Sequence, residues 1–149
     1  MVTWRVFEEE AGSVASFGRE RIDQRVSFLA TVRADGAPRV HPVTPWLADG
    51  RLFVRMYPTS PKASDLDRDP RFALHSMMDN DDGIGGEFVV HGRAVRVESP
   101  EEIADAYTAI GGPWPDRTYV LFELELDEVV ATEYEGDETL RRRWRAASS

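Results

Sequence analysis

Between residues 26 and 74 short runs of β-branched and aromatic residues alternate with turn formers. VSFLATV and PRVHPV flank Asp35-Gly36, and RLFVRM follows a second pair, Asp49-Gly50. Asp-Gly between such runs is a strong hairpin signal, because both central residues of a two-residue turn take φ > 0. The pattern predicts strands over 26–34, 37–47 and 51–57, joined as a three-stranded antiparallel meander. Thr59-Ser60-Pro61-Lys62 then opens a short helix over 62–68, which Asp69-Pro70 stops before a strand at 71–78. Ser at the N-cap followed by Pro in the first helical position is a well-formed helix start.

Outside this block, Trp4, Phe7 and Ala11 fall at helical spacing. Gly12 interrupts the run, and Ser13 is placed to cap a second helix reaching Gln24. A Gly- and Asp-rich loop over 79–86 leads to a long strand over 87–98. Ser99-Pro100-Glu101-Glu102 then caps a helix ending near Ala109. After the irregular Gly111-Gly112-Pro113-Trp114-Pro115 stretch comes a last strand over 118–134, with a bulge or exposed edge expected at Glu125 to Glu128. The remainder, 135–149, reads as a mobile tail that turns from acidic to basic around Trp144. Six strands with few helices and mostly short turns indicate a small antiparallel β-barrel rather than a parallel α/β sheet.

A chain of 149 residues fits one domain, and 42% apolar residues with 15 aromatics fit a folded globule. The net charge of −9 argues against nucleic acid as a partner, since phosphate neutralisation needs a basic face. The absence of Cys removes disulfides, thiolate nucleophiles and iron–sulfur ligands. No apolar run approaches a membrane span and no leader pattern is visible, so a cytoplasmic protein is expected. Of 18 basic residues, 17 are Arg and only Lys62 is Lys.

That single Lys sits with Thr59, Ser60 and a helix start, while Arg55 arrives from the preceding strand. Free N–H groups, a hydroxyl and an ammonium together suit a phosphate. The alternative is a capped connecting helix. Arg39, His41 and Val43 share one face of the second strand, because side chains alternate with period two. Pro42 and Pro45 lack donors, so that strand is either an edge or one whose backbone meets a planar ligand. His41, His75 and His91 fall on three predicted strands without zinc spacing, and no metal site is expected. Counting back from Gly83 puts Met78 and Val89 at the first and last positions of a calcium loop, which excludes it. No dinucleotide fingerprint or nucleophile elbow is present, so catalytic residues are not identified and a cofactor is expected to carry any chemistry.

In these residues the chain resembles the pyridoxamine 5′-phosphate oxidase-like family of flavin-binding split β-barrels. The likeness rests on FLATVRADGAPRVHPV, GRLFVRMYPTSPKASDLDRDPRFALH and FVVHGRAVRV, spanning about 28–97. It implies a six-stranded antiparallel split barrel, a homodimer with the cofactor at the subunit interface, and FMN as cofactor, with F420 or haem as alternatives. By this likeness Arg39, Val40, His41, Pro42 and Val43 line the isoalloxazine ring. Arg55 and Met56 lie beneath the ribityl chain, and Ser60, Pro61 and Lys62 bind the phosphate. Glu87 falls where the family often has a Gln near the partner's cofactor.

Three functions follow as expectations: a flavin-dependent oxidoreductase acting on a small molecule, a non-catalytic protein that binds or sequesters FMN, F420 or haem, or a barrel serving only as an interaction module. The chain ends in Arg-Arg-Arg-Trp-Arg rather than the substrate-gripping Arg-x-His of true pyridoxamine phosphate oxidases, which argues against vitamin B6 oxidation. The Trp114 loop and the Arg141–Arg145 stretch are candidates for shaping a substrate mouth.

Overall fold

The computed structural model describes residues 1–111 and 118–148. The expected Trp114 loop lies outside them, apart from Gly111. Helices α1 (Trp4–Glu10) and α2 (Gly12–Ile22) precede β1 (Ser27–Val32), β2 (Pro38–Val43), β3 (Trp46–Ala48) and β4 (Arg51–Met56). Helix α3 (Pro61–Arg68), β5 (Arg71–Ser76) and β6 (Glu87–Val97) follow, then α4 (Pro100–Ile110), β7 (Val120–Glu135) and β8 (Glu138–Arg145). The strands form one antiparallel sheet in the order β2-β1-β5-β6-β7-β4-β3, with β8 pairing β7. The sheet is not closed, as in a split barrel.

Eight strands replace the expected six, for two reasons. Thr44 and Pro45 end the predicted second strand, and its continuation, β3, leaves β2 to pair with β4 at the opposite end of the sheet. The meander is therefore two separate hairpins. The second addition is β8, where a mobile tail was expected: residues 138–145 pair with β7 from Glu128↔Arg145 to Glu135↔Glu138. Trp144 explains why this strand is held. It is buried, its ring centroid lies 4.9 Å from that of Phe7, and its Nε1 donates to Glu10 Oε1 at 3.1 Å.

The two Asp-Gly turns differ. Asp49 (φ 52°) and Gly50 (φ 71°) are both left-handed, as a two-residue type I′ turn requires. At the first turn only Gly36 is (φ 86°). Gly36 N donates to Arg33 O and Arg33 N to Ala37 O, each at 2.9 Å. This is the longer hairpin in which one left-handed Gly follows a right-handed turn, so Asp35 needs no positive φ. Helix α4 starts as its sequence predicts, with Ser99 Oγ accepting from Glu102 N. Helix α2 begins at Gly12 with Ala11 at its N-cap, so Ser13 is not the cap.

The main core gathers Trp4 and Phe7 of α1, Ile22 of α2, Leu29, Leu74, Phe88, Val90 and the inner face of β7. Packing against Phe88 is so close that a Cβ at Gly18 would overlap its ring. The expected irregularity in the last strand is a bulge: His91 pairs with Glu128 but Gly92 with Leu126, which leaves Asp127 unpaired on the ladder. Gly92 accommodates it, since a Cβ there would run into Glu125 O.

Candidate functional site

Lys62 and Ser60 come together because β4 ends in a tight turn, in which Ser60 N donates to Tyr57 O at 2.9 Å. Pro61 then starts α3 with its φ preset and no N–H to satisfy. Ser60 occupies the N-cap, but its side chain does not cap the helix. Ser60 Oγ instead accepts from Lys62 Nζ at 3.0 Å. The Ser60 hydroxyl thereby keeps its own hydrogen for another acceptor, beside the ammonium. Lys62 forms no salt bridge among the described residues, and burial of its amine pushes its pKa below the usual lysine value. A half-buried ammonium with no carboxylate, a hydroxyl free to donate and a helix start fit a phosphate group.

His41 lies close enough to feel this charge. Its pKa is lowered first by desolvation and then by the positive charges of Lys62 and Arg39, with Asp65 acting in the opposite sense. Arg39, His41 and Val43 face the inside of the sheet, opposite Thr31, Leu29 and Ser27 of β1. Val40 and Pro42 face the other way, and Val40 is 62% exposed. The five residues predicted to line a ring thus divide between two faces.

The backbone of β2 resolves the role of its prolines. Arg33 and Ala37 form a hydrogen-bonded pair, and alternation makes Arg39, His41 and Val43 the residues whose N–H groups bond to β1. Pro38, Val40 and Pro42 turn their backbone nitrogens to the open edge, so the N–H that Pro42 lacks removes no bond from the ladder. What the edge offers is the Val40 N–H and three carbonyls. Pro45 lies outside β2, where its carbonyl accepts from Gln24 N.

On the other side of the turn, Arg55 lies against Tyr119, with Cζ 4.6 Å from the ring centroid. Tyr57 adds a second ring 5.2 Å from that of Tyr119. Met56 is buried in the core. Glu87 starts β6 on the outer face, 3.7 Å from His75 Nε2.

Asp65 was not foreseen. This carboxylate, 2% exposed, accepts from Thr31 Oγ1 and Arg39 Nε, each at 2.7 Å, and from Arg68 at 3.2 Å. Burial pushes its pKa up, but the hydrogen bonds from Arg39, Thr31 and Arg68 outweigh this and hold it below the usual carboxylate range. The available signal was its place between Ala63 and Leu66 on the buried side of α3. Arg39 therefore ties β2 to α3.

The outer face of the sheet is partly apolar. Phe28, Val40 and Met77 are exposed there or at its rim, and Phe28 pairs across the ladder with Pro42 and His75.

Residues 18–132 match the sequence profile of pyridoxamine 5′-phosphate oxidase. The chain belongs to that family. Among solved structures it is similar to a haem-binding protein from Mycobacterium smegmatis (TM-score 0.70, 20% identity, 89% of this chain and 57% of the other). It is also similar to a pyridoxamine 5′-phosphate oxidase-related, FMN-binding protein from Nostoc punctiforme (TM-score 0.68, 17% identity, 99% and 93%). A third is a protein described as an F420 reductase (TM-score 0.57, 18% identity, 74% and 94%). At these identities the likeness is one of fold, and this chain spans little more than half of the haem-binding one. No curated protein matches the sequence.

Proposed function

We propose that this protein binds FMN through the Ser60–Lys62 turn and acts as a flavin-dependent oxidoreductase on a small molecule. The observation that carries the reading is Lys62: a half-buried ammonium held by Ser60 Oγ, without a carboxylate partner among the described residues. Family membership and the FMN-binding description of the Nostoc protein agree with it. Bound FMN supplies hydride transfer at N5 of its ring. The chain's own residues hold and orient the group. Lys62 and Ser60 engage the phosphate and Arg55 lines the path from it, whereas Met56, buried in the core, supports β4 from behind. The open edge of β2 at Val40 presents one N–H and flanking carbonyls to the polar rim of a planar ring.

In a single chain this site is open to one side, and the exposed apolar outer face stands beside β2. Both features support a two-fold dimer in which the partner supplies the missing wall. Titration with FMN, followed by turnover with NADH or NADPH, tests the reading. Absence of FMN binding would refute it.

A second reading is a non-catalytic protein that binds or sequesters FMN, F420 or haem. It is supported by the neighbour of the same fold described as haem-binding, while the one described as an F420 reductase bears only on the choice of ligand. The absorption spectrum of the purified protein separates the three ligands, and cofactor binding without any reductase or oxidase turnover would favour this reading.

A further inference from the structure

Lys62 and Asp65 are three residues apart on one helix, a spacing at which side chains meet and opposite charges pair. They do not pair here. Asp65 is surrounded by Thr31 from β1, Arg39 from β2 and Arg68 from its own helix, at 2.7, 2.7 and 3.2 Å. Arg68 is also anchored by a 2.6 Å bond from its guanidinium to Val32 O, and Asp65 is almost wholly buried. Lys62 turns to Ser60 Oγ, and the other titratable group acting beside it is His41, from β2.

We infer that Thr31, Arg39 and Arg68 form a cage that keeps the Asp65 carboxylate from neutralising Lys62, so that the chain's one lysine remains available to an anion. In this role Arg39 is a positioning residue rather than a cofactor ligand. The lowered pKa of Lys62, for which burial is the cause and Asp65 contributes no opposing attraction, agrees with the arrangement. A long, flexible lysine stem would otherwise reach a neighbouring carboxylate readily. With Arg39 removed, Asp65 keeps Thr31 and Arg68 but loses its 2.7 Å charged partner, and Lys62, three residues away on the same helix, is placed to take it up.

The inference rests on the phosphate-binding reading for its functional meaning, but its test does not require cofactor. Because Lys62 is the only lysine, 13C-labelled lysine gives one side-chain signal whose titration reports Lys62 directly. The wild type, Arg39→Gln, Asp65→Asn and the double variant form a cycle. The cage predicts a raised Lys62 pKa in Arg39→Gln, an unchanged value in Asp65→Asn and a return to the wild-type value in the double variant.

Simple additive electrostatics predicts instead a lowered value in Asp65→Asn, and that result would overturn the inference. Should Arg39→Gln not fold, the Asp65→Asn measurement still decides. FMN titration adds the functional arm: about tenfold weaker binding in Arg39→Gln and recovery in the double variant. If Arg39 touched the cofactor directly, the second substitution would restore nothing. Equal FMN affinity of wild type and Lys62→Ala would remove the phosphate reading alone and leave the titration cycle to judge the cage.

Discussion

Lys62 Nζ donates to Ser60 Oγ across 3.0 Å, although the two residues are only two apart and Ser60 stands where a helix cap belongs. The contact orients the ammonium at the cost of a side-chain cap, an exchange that favours an incoming anion over the isolated helix. Lys62→Ala is expected to weaken FMN binding by about 1.5–3 kcal/mol, or roughly 10- to 100-fold. The melting temperature should stay near that of the wild type, because Lys62 has no ion pair to lose among the described residues. Fluorescence titration of FMN with both proteins checks this, and equal affinities would exclude the site.

His41 links the site to pH. Its folded-state pKa is lowered, so the native protein favours the neutral ring. The corresponding stability is fully present above the unfolded value of about 6.5 and is lost as pH falls from there through the folded pKa. Phosphate bound at Lys62 brings negative charge near His41 and should raise its pKa. NMR titration of the ring with and without FMN measures both shifts, and an upward displacement on binding is the expected result.

Phe28 tests the assembly. It is 39% exposed on the outer face, paired with Pro42 of the site-bearing strand. Phe28→Glu should leave the fold intact, since the side chain faces outward, and convert the proposed dimer to single chains. Light scattering at micromolar concentration gives the answer. A wild type of single-chain mass with FMN present would dismiss the dimer itself.

Trp144 is the test of β8. Its burial against Phe7 and its bond to Glu10 make it part of the core, so Trp144→Ala should cost about 3–5 kcal/mol. Removing everything after Leu140 should destabilise similarly, and loss of cofactor would then follow from unfolding. Urea denaturation of the two variants would show it; a truncated chain as stable as the wild type would mean that β8 adds nothing.

Gly92 marks the bulge. Gly92→Ala drives a methyl group toward Glu125 O and should cost about 1–3 kcal/mol by overpacking. Gly36→Ala meets no neighbouring atom, so its cost should come only from the left-handed φ of 86°. Comparing the two melting temperatures separates steric from conformational cost.

Local signals carried much of the fold and the centre of the candidate site. Asp49-Gly50, Ser99-Pro100 and the Ser60-Pro61-Lys62 start are each decided by residues adjacent in sequence; the first two form as their chemistry predicts, and the third starts its helix at Pro61 with the Ser60 hydroxyl turned to Lys62 instead of the helix. The failures are non-local. Nothing near Thr44 states that β3 must cross to the far end of the sheet, because its partner β4 and the strand beside that, β7, are chosen by burial of Trp46 and Phe53 beneath α4. The Arg-rich stretch of β8 reads as a mobile tail in sequence because what holds it is the inward Trp144, whose partners Phe7 and Glu10 lie more than a hundred residues earlier. Asp65 was hidden in the same way: three donors from three elements converge on it, and only the fold assembles them.

The open edge of β2 also bears on solubility. An unpaired strand edge normally invites a second extended chain and, through repeated addition, growth into fibres. Here Pro38 and Pro42 leave Val40 as the lone outward donor within the strand, so an approaching chain finds too few bonds to settle. The protein can therefore keep a bare rim exposed while its concentration rises, without that rim seeding polymerisation.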